Sequence, residues 1–172
     1  MWKKIIPGFI IGTWLLSADA HAAKPAVSFG EPVFKDNSVT FSINIRESKK
    51  TAFTSFGIDI VYDSNAFDTI PVAAQLDSEP KSHAKKGASA EKANKGIRHH
   101  AESGYQQGRL RMLITDNDNE LDDGEVVHVT FPVKPGAQAG DYPFTISCSG
   151  SDKNGAMHNF PVSNMTVRVP GR

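Results

Sequence analysis

Apolar and polar residues alternate with a period of two over most of this chain. Val39, Phe41, Ile43 and Ile45 fall on one side of their segment, with Thr40, Ser42 and Asn44 on the other. Phe56, Ile58, Ile60 and Tyr62 repeat the pattern, as do Leu110/Met112/Ile114, Val127/Val129/Phe131/Val133, Phe144/Ile146/Cys148 and Met165/Val167/Val169. Such alternation predicts strands with one buried face. Turn-forming runs separate them: Lys35-Asp36-Asn37, Asp63-Ser64-Asn65, Pro135-Gly136, Gly140-Asp141 and Asp152-Lys153-Asn154-Gly155. Many short strands without a long helical period predict an all-β domain, a sandwich or jelly roll. No tandem repeat is evident.

Two segments depart from the pattern. Residues 1–22 run from basic Lys3 and Lys4 through the apolar stretch Ile5–Leu16 to Ala20-His21-Ala22, the order of a secretory signal peptide cut after Ala22. The apolar stretch is shorter than the roughly 20 residues a membrane span needs, and Pro7 interrupts it. The expectation is an exported chain, secreted or periplasmic, with no membrane span after cleavage. The second segment, 78–104, holds one large apolar residue, Ile97, with six Lys/Arg, three Glu and three histidines. It reads as a flexible, solvated basic insertion, within which Ala84–Asn94 favours a short surface helix weakened by Gly87.

Composition sharpens this picture. The chain has 172 residues and a formal net charge of zero, which argues against nucleic acid as a partner. Loss of residues 1–22 removes both tryptophans, Trp2 and Trp14. Neutrality also hides a division, because 78–104 is basic and the remainder acidic. The single Cys148 excludes a disulfide framework and reads as a small buried hydrophobe on its strand.

Candidate chemistry is sparse. Asp116, Asp118, Glu120, Asp122 and Asp123 form an oxygen-rich loop that is a weak candidate for Ca²⁺. As an EF-hand it fails: Leu121 stands at the glycine position and Val127 at the bidentate glutamate. The alternative is a solvated acidic loop offsetting the basic insertion. His83, His99 and His100 lack a third ligand at fixed spacing, so no metal or other cofactor is assigned. The chain has no G-x-S-x-G, H-E-x-x-H or phosphate-cradling glycine loop, and the reading is that it is not an enzyme. Direct binding of polysaccharide would need rings to stack on sugar faces. After cleavage Tyr105 and Tyr142 are the tyrosines left for this, since Tyr62 points inward by parity.

Several runs, taken in order, resemble the cohesin family. FGIDIVYDSNAFDTI (56–70) is similar to its third strand and following turn, with Tyr62-Asp63 and Phe67-Asp68 in the characteristic places. GRLRMLITD (108–116), DGEVVHVTFPVKPGAQAGDYPFTIS (123–147) and SDKNGAMHNFPVSNMTVRV (151–169) resemble the later strands and the closing run, so that one domain covers 26–170. The resemblance implies a jelly-roll sandwich of about nine strands that binds a protein partner through one sheet face. The usual partner is a dockerin, a paired-helix module with calcium loops found in assemblies that break down polysaccharides. The face it implies is built from Ser55, Gly57, Asp59 and Val61; Arg109, Arg111, Leu113 and Thr115; and Val126, His128 and Thr130. Of these, Asp59, Val61, Arg111, Leu113, Thr115, Val126 and His128 are the partner-binding candidates. Ser55 and Gly57 stand where some cohesins place Asn and Asp. A carbohydrate-binding module, or a structural or adhesive exported protein, is the alternative.

Overall fold

The computed structural model describes residues 25–46, 51–68, 84–99 and 108–171. The expected signal peptide, 1–22, lies outside them, as do His83, His100 and Tyr105. Among the described residues there are eleven strands and one helix: β1 (Ala26–Phe29), β2 (Val33–Lys35), β3 (Ser38–Arg46), β4 (Phe53–Val61), β5 (Ala84–Lys86), α1 (Ala88–Lys92), β6 (Gly96–His99), β7 (Arg109–Thr115), β8 (Gly124–Pro132), β9 (Gly140–Asp152), β10 (Met157–Asn159) and β11 (Ser163–Val169). They form two antiparallel sheets. One is ordered β1-β3-β8-β5, with β2 also on β3; the other is β10-β9-β4-β7-β6, with β11 also on β9.

Alternation builds both sheets. Val39, Phe41, Ile43 and Ile45 of β3 are all buried and face Phe56, Ile58 and Ile60 of β4 across the sandwich. At its centre Phe131, Phe144, Phe67 and Tyr62 meet edge to face, with ring centroids 4.9–5.0 Å apart for Tyr62–Phe131, Phe67–Phe144 and Phe131–Phe144. The β2–β3 hairpin turns on Asp36 and Asn37, both at positive φ (50° and 59°), the tight turn that Asp and Asn tolerate best among non-glycine residues.

The basic insertion differs from the expected solvated loop. Within its described part, β5 adds to the edge of one sheet, β6 to the edge of the other, and α1 joins them along β8. The anticipated helix is there, but short, starting after Gly87. Alanines make this possible. Ala84, Ala90, Ala93 and Ile97 are buried, and side chains this small let the segment lie close against β8. Gly87 serves the same approach: its N–H donates to the Val126 carbonyl at 2.9 Å, and a Cβ would collide with the Glu125 backbone. Lys95, 1% exposed, donates to the carbonyl oxygens of Thr54 (2.6 Å) and Asn117 (2.5 Å). Burial pulls its ammonium below the ordinary lysine value, against the opposing pull of Asp118 and Asp116.

Candidate functional site

The outer side of the β10-β9-β4-β7-β6 sheet is assembled by register. In one row Arg98, Leu113, Gly57, Ser149 and Asn159 lie side by side across five strands; in the next come Arg111, Asp59 and Ser147; in a third Arg109, Val61 and Thr145. Each is the neighbour of a core residue on its own strand, so the side chains that fill the sandwich fix those that face solvent. Val61 is 46% exposed and Met157, on β10, 63%. With half-buried Leu113 they give the face exposed apolar groups set among polar ones.

Asp59 organises the centre. Its carboxylate accepts from Arg109 Nε at 2.8 Å, from Arg109 Nη2, and from Arg111 Nε at 3.0 Å. Partial burial works against ionisation there, but the hydrogen bonds and charges of the two guanidiniums outweigh it and hold the carboxyl below its usual range. Beside this trio the surface dips. Gly57, Ser147 and Ser149 present little or no side chain, and Asp59, Arg111 and Asn159 rise around them, leaving a shallow depression of about 330 Å³.

Asp59, Val61, Arg111, Leu113 and Thr115 therefore share one face, together with Ser55, Gly57 and Arg109. Val126, His128 and Thr130 do not: β8 belongs to the opposite sheet. His128 and Thr130 lie on that sheet's outer side, His128 beside Glu125 (2.9 Å) and Thr130 bonded to Thr40 (2.9 Å). Val126 is fully buried. Its strand bulges here, with Val127 opposite Ile43 but Glu125 opposite Asn44, so Val126 is the extra residue and the simple alternation that placed it outward breaks. Residues that the sequence reading passed over take β8's place: Ser147 and Ser149 on β9, Asn159 and Met157 on β10, and Arg98 on β6. The parity opposite Phe144/Ile146/Cys148 would have found the serines; Arg98 was hidden in the segment read as a loop.

The acidic loop is engaged by basic residues. Asp116 accepts from Arg98 Nε at 2.6 Å, Asp122 pairs with Lys92, and Glu120 lies 3.4 Å from Lys153. Ser89 Oγ donates to the Asp122 carbonyl, and Asn117 and Asn119 donate to the Ala93 carbonyl. Among the described residues no three His, Cys, Asp or Glu side chains converge to hold a metal ion, Asp118 and Asp123 included. Cys148 is buried, and burial pushes its thiol up to about 12. Tyr62 is buried too, and Tyr142 packs edge-on against Phe67 at 5.6 Å, its hydroxyl donating to the Gln138 carbonyl. Among the described residues no helix is long and apolar enough to cross a membrane.

The two antiparallel sheets form a β-sandwich, and the outer side of one of them carries apolar groups among polar ones. The family model of the cohesin domain matches residues 34–169, and the chain belongs to that family. Cohesins are non-catalytic protein-binding modules, and the chain is not an enzyme. Among solved structures it is similar to the non-cellulosomal cohesin of the hyperthermophilic archaeon Archaeoglobus fulgidus (TM-score 0.59, 15% identity, covering 87% of this chain and 93% of that one). It is also similar to a chain of the Coh-OlpA–Doc918 type I cohesin–dockerin complex of Clostridium thermocellum (0.62, 12%, 85% and 99%). A third is the cohesin module of a Clostridium perfringens family 33 glycoside hydrolase (0.57, 13%, 85% and 95%). At these identities the likeness shows the fold alone. No curated protein matches the sequence.

Proposed function

We propose that the chain is an exported docking module that captures a dockerin-type partner on the outer side of the β9-β4-β7-β6 strands, within an extracellular system for polysaccharide breakdown. The observation that carries this reading is the face itself: Leu113, exposed Val61 and Met157 surround a polar centre on a sheet whose other side is core. A preformed surface of this kind suits a partner interface of about 800 Å² per side, anchored by Leu113, Val61 and Arg111. Dockerins in the complexes of related cohesins support the class of partner. The order of residues 1–22 supports export, with Ala23 as the first residue of the exported chain.

Calorimetric titration of the exported chain against a panel of purified, calcium-loaded dockerin modules tests the reading. The expected result is saturable 1:1 binding to at least one member, lost when Leu113→Asp and Val61→Asp are combined. Retention on insoluble polysaccharide with no dockerin bound would replace this reading with a carbohydrate-binding one. N-terminal sequencing of the chain recovered from outside the cytoplasm checks the cleavage.

A further inference from the structure

Phe34 breaks the rule that governs the other aromatic rings. It lies opposite Val39 in the β2–β3 register, so its side chain belongs to the inner side of the sheet, where Val39 is fully buried. Yet Phe34 is 38% exposed, and it is the one exposed aromatic ring among the described residues. The ring opens instead into a cleft of about 410 Å³ at the edge of the sandwich, faced by Val169 and Pro170 where β11 ends and by Gln138 of the turn before β9. That volume is within the range of small-ligand sites.

The walls are tied together. Asn37 Nδ2 donates to the Val133 carbonyl at 2.8 Å and the Val133 N–H donates to the Asn37 carbonyl at 2.9 Å, which fixes the β2–β3 hairpin to the turn that follows β8. The Tyr142 hydroxyl holds the Gln138 carbonyl, at 2.8 Å. Gln138 makes that bond through its backbone and is itself exposed, so its carboxamide is open to an incoming group. No lining side chain of the cleft is ionisable, so a charged ligand would find no counter-charge there. An apolar peptide side chain would use the ring but not the carboxamide. A pyranose uses both: one face is C–H and packs on a ring, and its hydroxyls donate and accept as a carboxamide does.

We propose that this cleft is a binding site for a neutral sugar residue, seated with its C–H face on Phe34 and its hydroxyls on Gln138. The site lies away from the docking face, on the β1-β3-β8-β5 sheet's edge, and does not depend on that reading.

The test has two arms, which separate a polysaccharide from a short free sugar. In one, the exported chain is run through native gels holding hydroxyethylcellulose, arabinoxylan or galactomannan, with polygalacturonate as the charged counterpart. In the other, saturation-transfer NMR is recorded with cellohexaose, xylohexaose and mannohexaose. Binding to a neutral sugar is expected in at least one arm. Phe34→Ala is expected to weaken it about tenfold or more, and Phe34→Tyr to retain it. Gln138→Ala, on an exposed residue and so harmless to folding, is expected to cost about threefold or more and serves should Phe34→Ala fail to fold. The combined Leu113→Asp and Val61→Asp changes are expected to leave sugar binding intact. Binding in neither arm overturns the proposal, as does full binding by both Phe34→Ala and Gln138→Ala, or a preference for polygalacturonate. Loss of sugar binding in the Leu113→Asp and Val61→Asp protein would also overturn it, by moving the sugar to the docking face. Capture of a dockerin by the native chain is read separately, so the docking reading stands or falls on its own titration.

Discussion

Asp59 holds its two arginines on the solvent side of β4, and its acid titration reports that arrangement. Because its folded pKa lies below the ordinary 3.8, its contribution to stability is full above that value and is lost as pH falls through the folded one. The native domain is thus expected to lose stability below about pH 4, and Asp59→Asn to flatten part of that loss. Melting temperatures from pH 2 to 6 for both proteins check this; Asp141 and Asp152, also held low by Arg168 and His158, account for a share that the variant leaves in place. Lys95 works on the inner side. Lys95→Met keeps its length but takes the donors from the Thr54 and Asn117 carbonyls, while relieving the burial of a charge. A net loss of about 1–3 kcal/mol is expected in urea denaturation. In the core, Phe131→Ala removes a ring that contacts four aromatic neighbours and is expected to cost about 3–5 kcal/mol by the same measurement.

At the scale of elements, the β5-α1-β6 insertion shows where sequence patterning loses its hold. The long strands were legible because each buries large apolar residues at every second position, from Val39 to Ile45 and from Phe56 to Ile60. The insertion buries alanines, one isoleucine and a lysine, and a hydropathy pattern built on large residues passes over them. Val126 was misplaced for a different reason, a one-residue bulge that no local signal announces. Because Ala90 is fully buried and α1 packs along β8, Ala90→Glu forces a charge into that contact and is expected to release the segment. Brief trypsin treatment followed by mass spectrometry checks this: native Lys86, Lys92, Lys95 and Arg98 should resist cleavage and the variant should be cut there. The acidic loop is secured by the same segment through Lys92, Lys95 and Arg98, so added Ca²⁺ is expected to leave the melting temperature of the domain unchanged.

The whole molecule is a sandwich whose two outer sides are chemically unlike. One carries small polar groups such as Ser42, Thr40 and Thr130; the other carries the arginine-flanked Asp59, the depression and the exposed apolar groups. Sequence parity identified the contributions of β4 and β7 to the second side, but parity does not reveal which strands share a sheet, and β8 was placed there in error. Since Leu113 and Val61 lie outside the core, replacing both by Asp is expected to change stability by less than about 1 kcal/mol while removing partner capture, as read by urea denaturation beside calorimetry. The interior has a practical corollary. With its one thiol buried and scarcely ionised at neutral pH, the intact domain should behave toward maleimides and disulfide reagents as though it held no cysteine. A cysteine introduced at Thr115, on the rim of the face, would then be the single attachment point for a fluorophore or a surface linker, with Cys148 left as a built-in reporter that reacts only when the sandwich opens.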